Sequence, residues 1–119
     1  MARVFVVDDQ EPVRDLCARM LSVRGHEVLG VGSGAEAVAL YGELRPDAVL
    51  LDVDMPGMDG LATLGAIRAI DPEARVAMLT GNAGGGTIRG ALALGARDYV
   101  LKPFHGRRLA EALVRLLAP

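Results

Sequence analysis

Short runs rich in apolar residues alternate with segments of helical periodicity along this chain of 119 residues, and this alternation restricts the fold more than any other feature. The apolar runs are too short for helices and suit strands that are buried on both faces. They lie at residues 4–7, 26–31, 48–51, 75–80 and 97–101. Strands that alternate with helices through short connections form a parallel sheet with right-handed crossovers and helices on both faces. The sequence therefore predicts one doubly wound α/β domain of five strands and five helices.

Helices are predicted between the strands from apolar residues spaced three and four positions apart. Ser33 and Glu36 have the spacing of a capping box at the start of the second helix, and Asp59 is placed to cap the third. The clearest apolar stripes belong to the first and last helices: Val13, Leu16, Cys17, Met20 and Leu21, then Leu109, Ala112, Leu113 and Leu116.

Composition excludes several classes of function. The formal net charge is −2, and the 13 basic residues are scattered, which gives no reason to expect nucleic-acid binding by this chain. Cys17 is the single cysteine; it precludes an internal disulfide, indicates a cytoplasmic location and is predicted to be a small buried hydrophobe. No signal sequence and no apolar run of membrane-spanning length is present, so membrane association is not expected. His26 and His105 lack partners at ligand spacing and are predicted to be surface residues.

Polar side chains lie at the ends of four of the predicted strands. Asp8 and Asp9 follow the first strand, Asp52 closes the third, Thr80 ends the fourth and Lys102 follows the fifth. Because the carboxyl ends of parallel strands share one edge of a sheet, we expect these residues to converge there. That edge is where ligands bind in open α/β sheets.

Three clustered carboxylates repel one another unless a cation joins them, and ligation by oxygen alone selects a hard ion. Mg2+ suits such a site because it keeps several waters and accepts a phosphate oxygen. Lys102 and Thr80 beside the acids then indicate phosphoryl chemistry, with Asp52, the most central residue, as a nucleophile that forms an acyl phosphate.

Four motifs together resemble those of bacterial two-component response-regulator receiver domains. They are Val-Val-Asp-Asp at 6–9, Leu-Leu-Asp-Val-Asp-Met-Pro-Gly-Met-Asp-Gly at 50–60, Leu-Thr at 79–80 and Asp-Tyr-Val-Leu-Lys-Pro-Phe at 98–104. The resemblance covers the whole chain, so residues 1–119 are expected to form one receiver domain. It implies the flavodoxin-like strand order 2-1-3-4-5, which the pattern alone does not give.

The resemblance also assigns the metal and acceptor roles. Asp52 is expected to be the phosphoacceptor. Mg2+ is expected as the cofactor, held by the carboxylates of Asp8, Asp9 and Asp52 and by the backbone carbonyl of Asp54.

Other residues are expected to bind the phosphoryl group and report its presence. The resemblance makes Thr80 and Lys102 the phosphoryl ligands and Tyr99 an aromatic switch that turns inward when Thr80 moves. It implies a cis peptide bond between Lys102 and Pro103, which is unusual even before proline.

The implied partners are a sensor histidine kinase or a histidine phosphotransfer protein upstream, and an effector or output domain downstream. The face made by helix 4, strand 5 and helix 5 is expected to change its partner preference by population shift. A monomer or a weak phosphorylation-linked dimer is expected, with no turnover of an external substrate.

Two features of the sequence are unusual for the family. Asp54 is a fourth acid beside the cluster, and we expect Asp54 and Asn82 to set the lifetime of the phosphoryl group. Gly84, Gly85 and Gly86 lie where helix 4 should start. They indicate either a longer loop or a helix end that is frayed at rest and becomes ordered on activation.

Two other functional classes remain open at this stage. Asp52-Val53-Asp54 also resembles the Asp-x-Asp motif of haloacid-dehalogenase-type phosphohydrolases, in which the second Asp is the general acid. That motif normally lies near the first strand of a larger, capped protein, and turnover of an aryl phosphate would distinguish the two. A phosphate-independent binding module would have the same fold without Mg2+-dependent phosphorylation.

Overall fold

A computed structural model of the chain describes residues 2–81 and 85–119, and in these ranges five strands alternate with five helices. The strands are β1 (Arg3–Val7), β2 (Glu27–Val31), β3 (Ala48–Asp52), β4 (Val76–Thr80) and β5 (Asp98–Leu101). The helices are α1 (Glu11–Ser22), α2 (Gly34–Leu44), α3 (Gly60–Ile70), α4 (Gly85–Ala93) and α5 (Gly106–Leu117). Within the described residues, no helix is both long and apolar enough to cross a membrane.

The five strands form one parallel sheet in the order β2-β1-β3-β4-β5. Both the predicted doubly wound architecture and the strand order implied by the resemblance are confirmed. The register brings the strand ends level with one another: Asp52 lies opposite Leu79, and Thr80 opposite Leu101. The polar residues at these ends therefore reach the same edge of the sheet.

Each face of the sheet carries its own apolar core. Residues that alternate along β1 point to opposite sides, Val4 and Val6 to one core and Phe5 and Val7 to the other. The helices α1 and α5 cover the first core, while α2, α3 and α4 cover the second. Every residue of β3 and β4 is buried, as expected for central parallel strands between two helical layers.

The predicted N-caps of α2 and α3 are confirmed. The Ser33 side chain accepts a hydrogen bond from the Glu36 backbone N–H, and Asp59 accepts one from the N–H of Ala62. The apolar stripe of α5 is fully buried. In α1, Cys17 and Leu21 are buried as predicted, but Leu16 is 43% exposed because it lies at the margin of the stripe.

Both histidines hold backbone amides that sequence analysis did not assign to them. His26 is half-buried, and its Nδ1 accepts a hydrogen bond from the N–H of Ala2. His105 is exposed as predicted, but it also caps α5 by accepting a hydrogen bond from the N–H of Arg108. The two side chains therefore stabilise the ends of secondary-structure elements in addition to facing solvent.

Candidate functional site

Three carboxylates converge at the carboxyl edge of the sheet. Asp8, Asp9 and Asp52 each place an oxygen within 4.8 Å of the others. Asp8 is fully buried and Asp52 is 3% exposed, whereas Asp9 faces solvent. An all-oxygen donor set of this kind fits a hard divalent cation such as Mg2+, with the exposed Asp9 leaving one side open to water.

Asp8 is held in place through its backbone and at its carboxylate. Its N–H donates to the carbonyl of Val31 at 3.0 Å, which extends the pairing of β1 with β2 by one residue. Its Oδ1 accepts a hydrogen bond from the N–H of Gln10 at 2.9 Å. The first residue after β1 is thus fixed before α1 begins.

Asp52 is presented by the end of β3 and by the turn that follows it. Its Oδ1 accepts a hydrogen bond from the N–H of Asp54 at 3.2 Å. The N–H of Gly60, at the start of α3, donates to the carbonyl of Val53 at 3.0 Å. The loop between β3 and α3 therefore folds back, and α3 begins next to Asp52 and Val53.

Lys102 places its ammonium between the two buried acids. Nζ lies 2.9 Å from Oδ2 of Asp8 and 3.2 Å from Oδ1 of Asp52. The N–H of Lys102 donates to the carbonyl of Thr80 at 2.8 Å, so the ends of β4 and β5 are joined where these side chains meet. The peptide bond between Lys102 and Pro103 is cis, as the resemblance implies.

Burial is the main influence on the pKa of Asp52. It raises the pKa of Asp52 to about 6, with the negative charge of Asp8 acting in the same direction and the Lys102 ammonium offsetting part of the effect. Burial alone would lower the pKa of Lys102, but its hydrogen bonds to and attraction by Asp8 and Asp52 raise it overall. Lys102 therefore stays charged while Asp52 titrates near neutrality.

The remaining predicted residues differ in burial. Thr80 is buried at the end of β4, and the side chain of Asp54 is exposed. Tyr99 is 36% exposed on β5 and faces away from the apolar core. Asn82, like Gly84, lies outside the described residues. Cys17 is fully buried as predicted, and burial followed by the charge of Asp8 raises the pKa of its thiol to about 12.

One side chain near the cluster was missed by sequence analysis. Arg14 of α1 donates from Nη1 to the backbone carbonyl of Asp8 at 2.7 Å. Helical periodicity marks position 14 only as polar. The available signal was indirect: Gly30 and Gly32 in and after β2 leave space that the Arg14 side chain fills.

The residues at this edge match a known family. A family model for the response regulator receiver domain covers residues 4–114. The chain belongs to the response regulator receiver family. Membership places Asp52-Val53-Asp54 at the end of β3 and the start of the following loop in a receiver domain.

Receiver domains of similar sequence occur in chemotaxis proteins and in longer regulators. This receiver domain is 39% identical to the chemotaxis protein CheY of Listeria monocytogenes over 114 residues, covering 95% of this chain and 96% of that protein. It is 40% identical to the transcriptional regulatory protein PrrA of Mycobacterium tuberculosis over 98% of this chain, but this is 48% of PrrA. The structure of Vibrio cholerae CheY4 matches it with a TM-score of 0.93 at 32% identity, covering 98% of this chain and 99% of that one.

Proposed function

We propose that residues 1–119 form one receiver domain that accepts a phosphoryl group on Asp52, in a Mg2+-dependent reaction, from the phosphohistidine of a sensor kinase or phosphotransfer protein. The observation that carries this proposal is the contact of Lys102 with both Asp8 and Asp52 at the carboxyl edge of the sheet. A buried carboxylate flanked by a fixed cation and further acids suits nucleophilic attack on phosphorus.

The transfer consists of one displacement at phosphorus. A carboxylate oxygen of Asp52 forms a bond to phosphorus while the phosphorus–nitrogen bond of the phosphohistidine breaks. The electron pair of that bond stays on the imidazole nitrogen, which then takes up a proton from solvent. A pKa of about 6 leaves most of Asp52 ionised at neutral pH, as a nucleophile requires.

Asp8, Asp9, Asp52 and the carbonyl of Asp54 are the proposed Mg2+ ligands. Bound there, Mg2+ would neutralise negative charge on the transferring phosphoryl group. Lys102 is proposed to bind one phosphoryl oxygen through Nζ. Breaking its present contact with Asp52 is the rearrangement that this role demands.

The proposed switch begins with Thr80 and ends on an outer face. Thr80 would donate its hydroxyl to a phosphoryl oxygen, and Tyr99, which is partly exposed on β5, would turn inward toward the space that Thr80 leaves. The α4-β5-α5 face would then favour a different effector or output domain. We propose that the protein acts as a monomer or a weak phosphorylation-linked dimer in the cytoplasm.

The phosphoryl lifetime is assigned to positions 54 and 82. The exposed side chain of Asp54 lies two residues after Asp52, in the loop between β3 and α3, where a water molecule would approach the phosphoryl group. We expect Asp54→Asn or Asn82→Ala to change the dephosphorylation rate. Equal rates in wild type and both variants would contradict this assignment.

Phosphorylation by acetyl phosphate tests the main proposal. The chain is incubated with acetyl phosphate and Mg2+, and intact mass is recorded for wild type, Asp52→Asn and the control Asp15→Asn on the exposed face of α1. Wild type and the control should each gain one phosphoryl group, and the gain should require Mg2+ and disappear in Asp52→Asn. Labelling of Asp52→Asn, or sustained turnover of an aryl phosphate by wild type, would overturn the proposal.

A further inference from the structure

We infer that Arg14 is a positioning residue for the proposed Mg2+ site, acting through the peptide unit that joins Asp8 to Asp9. This inference rests on the proposed function and adds a residue to it. Its basis is the 2.7 Å hydrogen bond from Arg14 Nη1 to the carbonyl oxygen of Asp8, together with the space that Gly30 and Gly32 leave for the Arg14 side chain.

The Arg14 side chain occupies a channel along the edge strand. A β-carbon on Gly30 would lie 3.3 Å from Arg14 Cδ, and one on Gly32 would lie 3.5 Å from Nη1. The first distance is tighter than an ordinary van der Waals contact, so a side chain on Gly30 would press on Arg14, whereas a β-carbon on Gly32 would just touch it. The two glycines therefore let the long side chain lie flat over β2 and bring its guanidinium to the end of β1.

The hydrogen bond from Arg14 controls the direction of the next residue. The carbonyl of Asp8 and the N–H of Asp9 belong to one planar peptide unit. Holding this carbonyl fixes the orientation of the plane from which the Asp9 side chain departs. The N–H of Asp8 is held by Val31, and Arg14 holds the carbonyl of the same residue, so the backbone is tied on both sides of Asp8.

Asp9 depends on this indirect support more than the other two acids do. The carboxylates of Asp8 and Asp52 both accept hydrogen bonds and contact Lys102. Across residues 2–81 and 85–119, by contrast, no hydrogen bond or ion pair involves the exposed Asp9 carboxylate. Its place among the proposed ligands is therefore set by its backbone. Arg14 holds this backbone on one side through the carbonyl of Asp8, and the Asp8 carboxylate holds it on the other through the N–H of Gln10.

Mg2+ binding by the unphosphorylated full chain tests the inference. Dissociation constants are measured by following amide NMR shifts during titration with MgCl2, and thermal unfolding is recorded without metal. Arg14→Met should raise the dissociation constant about tenfold, since groups that orient metal ligands typically contribute roughly 10- to 100-fold in affinity. Arg14→Lys keeps a charge and a donor on a shorter side chain, so its dissociation constant for Mg2+ should lie between those of Arg14→Met and wild type.

Two further variants separate positioning from general effects. Arg19→Met removes an exposed positive charge from the last turn of the same helix and should leave the dissociation constant unchanged. Gly30→Val leaves Arg14 in place but adds bulk against its Cδ, so it should weaken Mg2+ binding in the same direction as Arg14→Met. Gly30→Val also keeps the inference testable if Arg14→Met does not fold.

Phosphorylation at two Mg2+ concentrations gives a second measurement. Labelling of Arg14→Met by acetyl phosphate should be slow at limiting Mg2+ and should approach the wild-type rate at saturating Mg2+. Wild-type affinity in both Arg14→Met and Gly30→Val, or an equal loss in Arg19→Met, would overturn the positioning role alone. Failure of wild type to bind Mg2+ would overturn the proposed function as well.

Discussion

The ammonium of Lys102 lies 3.2 Å from Oδ1 of Asp52. In the proposed function, Mg2+ and the phosphoryl group would also have to approach this carboxylate. The same ammonium contacts Asp8 at 2.9 Å. Without a bound metal, Lys102 offsets the repulsion between the two buried acids. In the proposed function it also binds the phosphoryl group. These two roles have opposite consequences for metal affinity and for phosphoryl transfer.

Replacing Lys102 should separate these consequences. Lys102→Met removes a cation that shares its carboxylates with the proposed metal site, so Mg2+ should bind several-fold more tightly. The same change removes the charge that is proposed to stabilise the transition state, and the labelling rate with acetyl phosphate should fall roughly 100-fold at saturating Mg2+. Lys102→Arg, which keeps the charge, should show near wild-type Mg2+ affinity. Weaker Mg2+ binding in Lys102→Met would contradict this account.

The raised pKa of Asp52 predicts how stability depends on pH in the absence of metal. Burial and the charge of Asp8 raise the pKa from 3.8 to about 6, so between these values the folded protein binds more protons than the unfolded chain. The contribution of Asp52 to the free energy of unfolding therefore decreases as pH rises through this range. Asp52→Asn does not bury an ionised carboxylate, so it should be more stable than wild type at a pH of about 7.5.

The stability difference should shrink as the carboxyl group becomes protonated. Urea unfolding of wild type and Asp52→Asn in EDTA, at pH values of about 4.5 and about 7.5, measures it. Mg2+ should then stabilise wild type at the higher pH and have little effect on Asp52→Asn. A stability difference that does not depend on pH would show that Asp52 is not the group responsible.

Gly60 should tolerate no side chain because the start of α3 packs against the backbone of Asp52 and Val53. A β-carbon at Gly60 would lie 2.4 Å from the carbonyl oxygen of Asp52 and 2.7 Å from Cα of Val53, and both are backbone atoms that cannot move aside cheaply. Gly60→Ala should therefore destabilise the domain by about 3 kcal/mol, at the upper end of the cost of overpacking. Urea unfolding measures this loss.

Gly65, in the middle of the same helix, is the matched control. Nothing lies within 4 Å of a β-carbon at this position. Alanine also has a higher helix propensity than glycine, so Gly65→Ala should stabilise the domain by about 0.5–1 kcal/mol. A loss of stability in both variants would mean that close packing on Asp52 is not the cause.

The two glycines at the start of α4 allow a test of helix fraying by hydrogen exchange. Gly85 and Gly86 belong to the first turn of α4, and a glycine costs about 1 kcal/mol relative to alanine inside a helix. If this end frays at rest, the amides of Arg89 and Gly90, whose helical acceptors are the carbonyls of Gly85 and Gly86, should exchange fast, and Mg2+ with beryllofluoride should slow them. Strong protection of these amides before activation would rule out fraying at rest.

The strands and the core of the site were predictable because they follow from local rules. A buried apolar run ending in a polar residue places that residue at a known edge of a parallel sheet, which is how Asp8, Asp52 and Lys102 were brought together from the sequence. The strand order was not predictable in this way. Apolar patterning shows that strands are buried but not which strands are neighbours, and the order came from the family resemblance.

Contacts that depend on a third element, and unusual cap residues, were not predictable. The hydrogen bond between Arg14 and Asp8 depends on the absence of side chains at Gly30 and Gly32, in and just after β2. The sequence does not reveal this, because a glycine within a strand can equally mark a bulge or a bend. His105 caps α5 although histidine is not among the preferred N-cap residues. These features depend on the assembled fold, which the local pattern does not describe.

Tyr41 makes a long-range contact at the other edge of the sheet. Its hydroxyl donates to Oδ2 of Asp71 at 2.7 Å, and this hydrogen bond is the main cause of the lowered pKa of Asp71. Tyr41→Phe keeps the buried ring and its edge contact with Phe5 but removes the donor. The variant should lose about 1 kcal/mol of stability at neutral pH, measured by urea unfolding.

The sign of the pH dependence distinguishes this hydrogen bond from simple packing. A carboxyl group with a lowered pKa in the folded state adds stability above its ordinary pKa of 3.8, and this is lost as pH falls through the folded-state value. The difference between wild type and Tyr41→Phe should therefore shrink in acid. Tyr99→Phe, which changes an exposed ring, should match wild type at every pH. A Tyr41→Phe deficit that is constant down to acidic pH would assign the effect to packing instead.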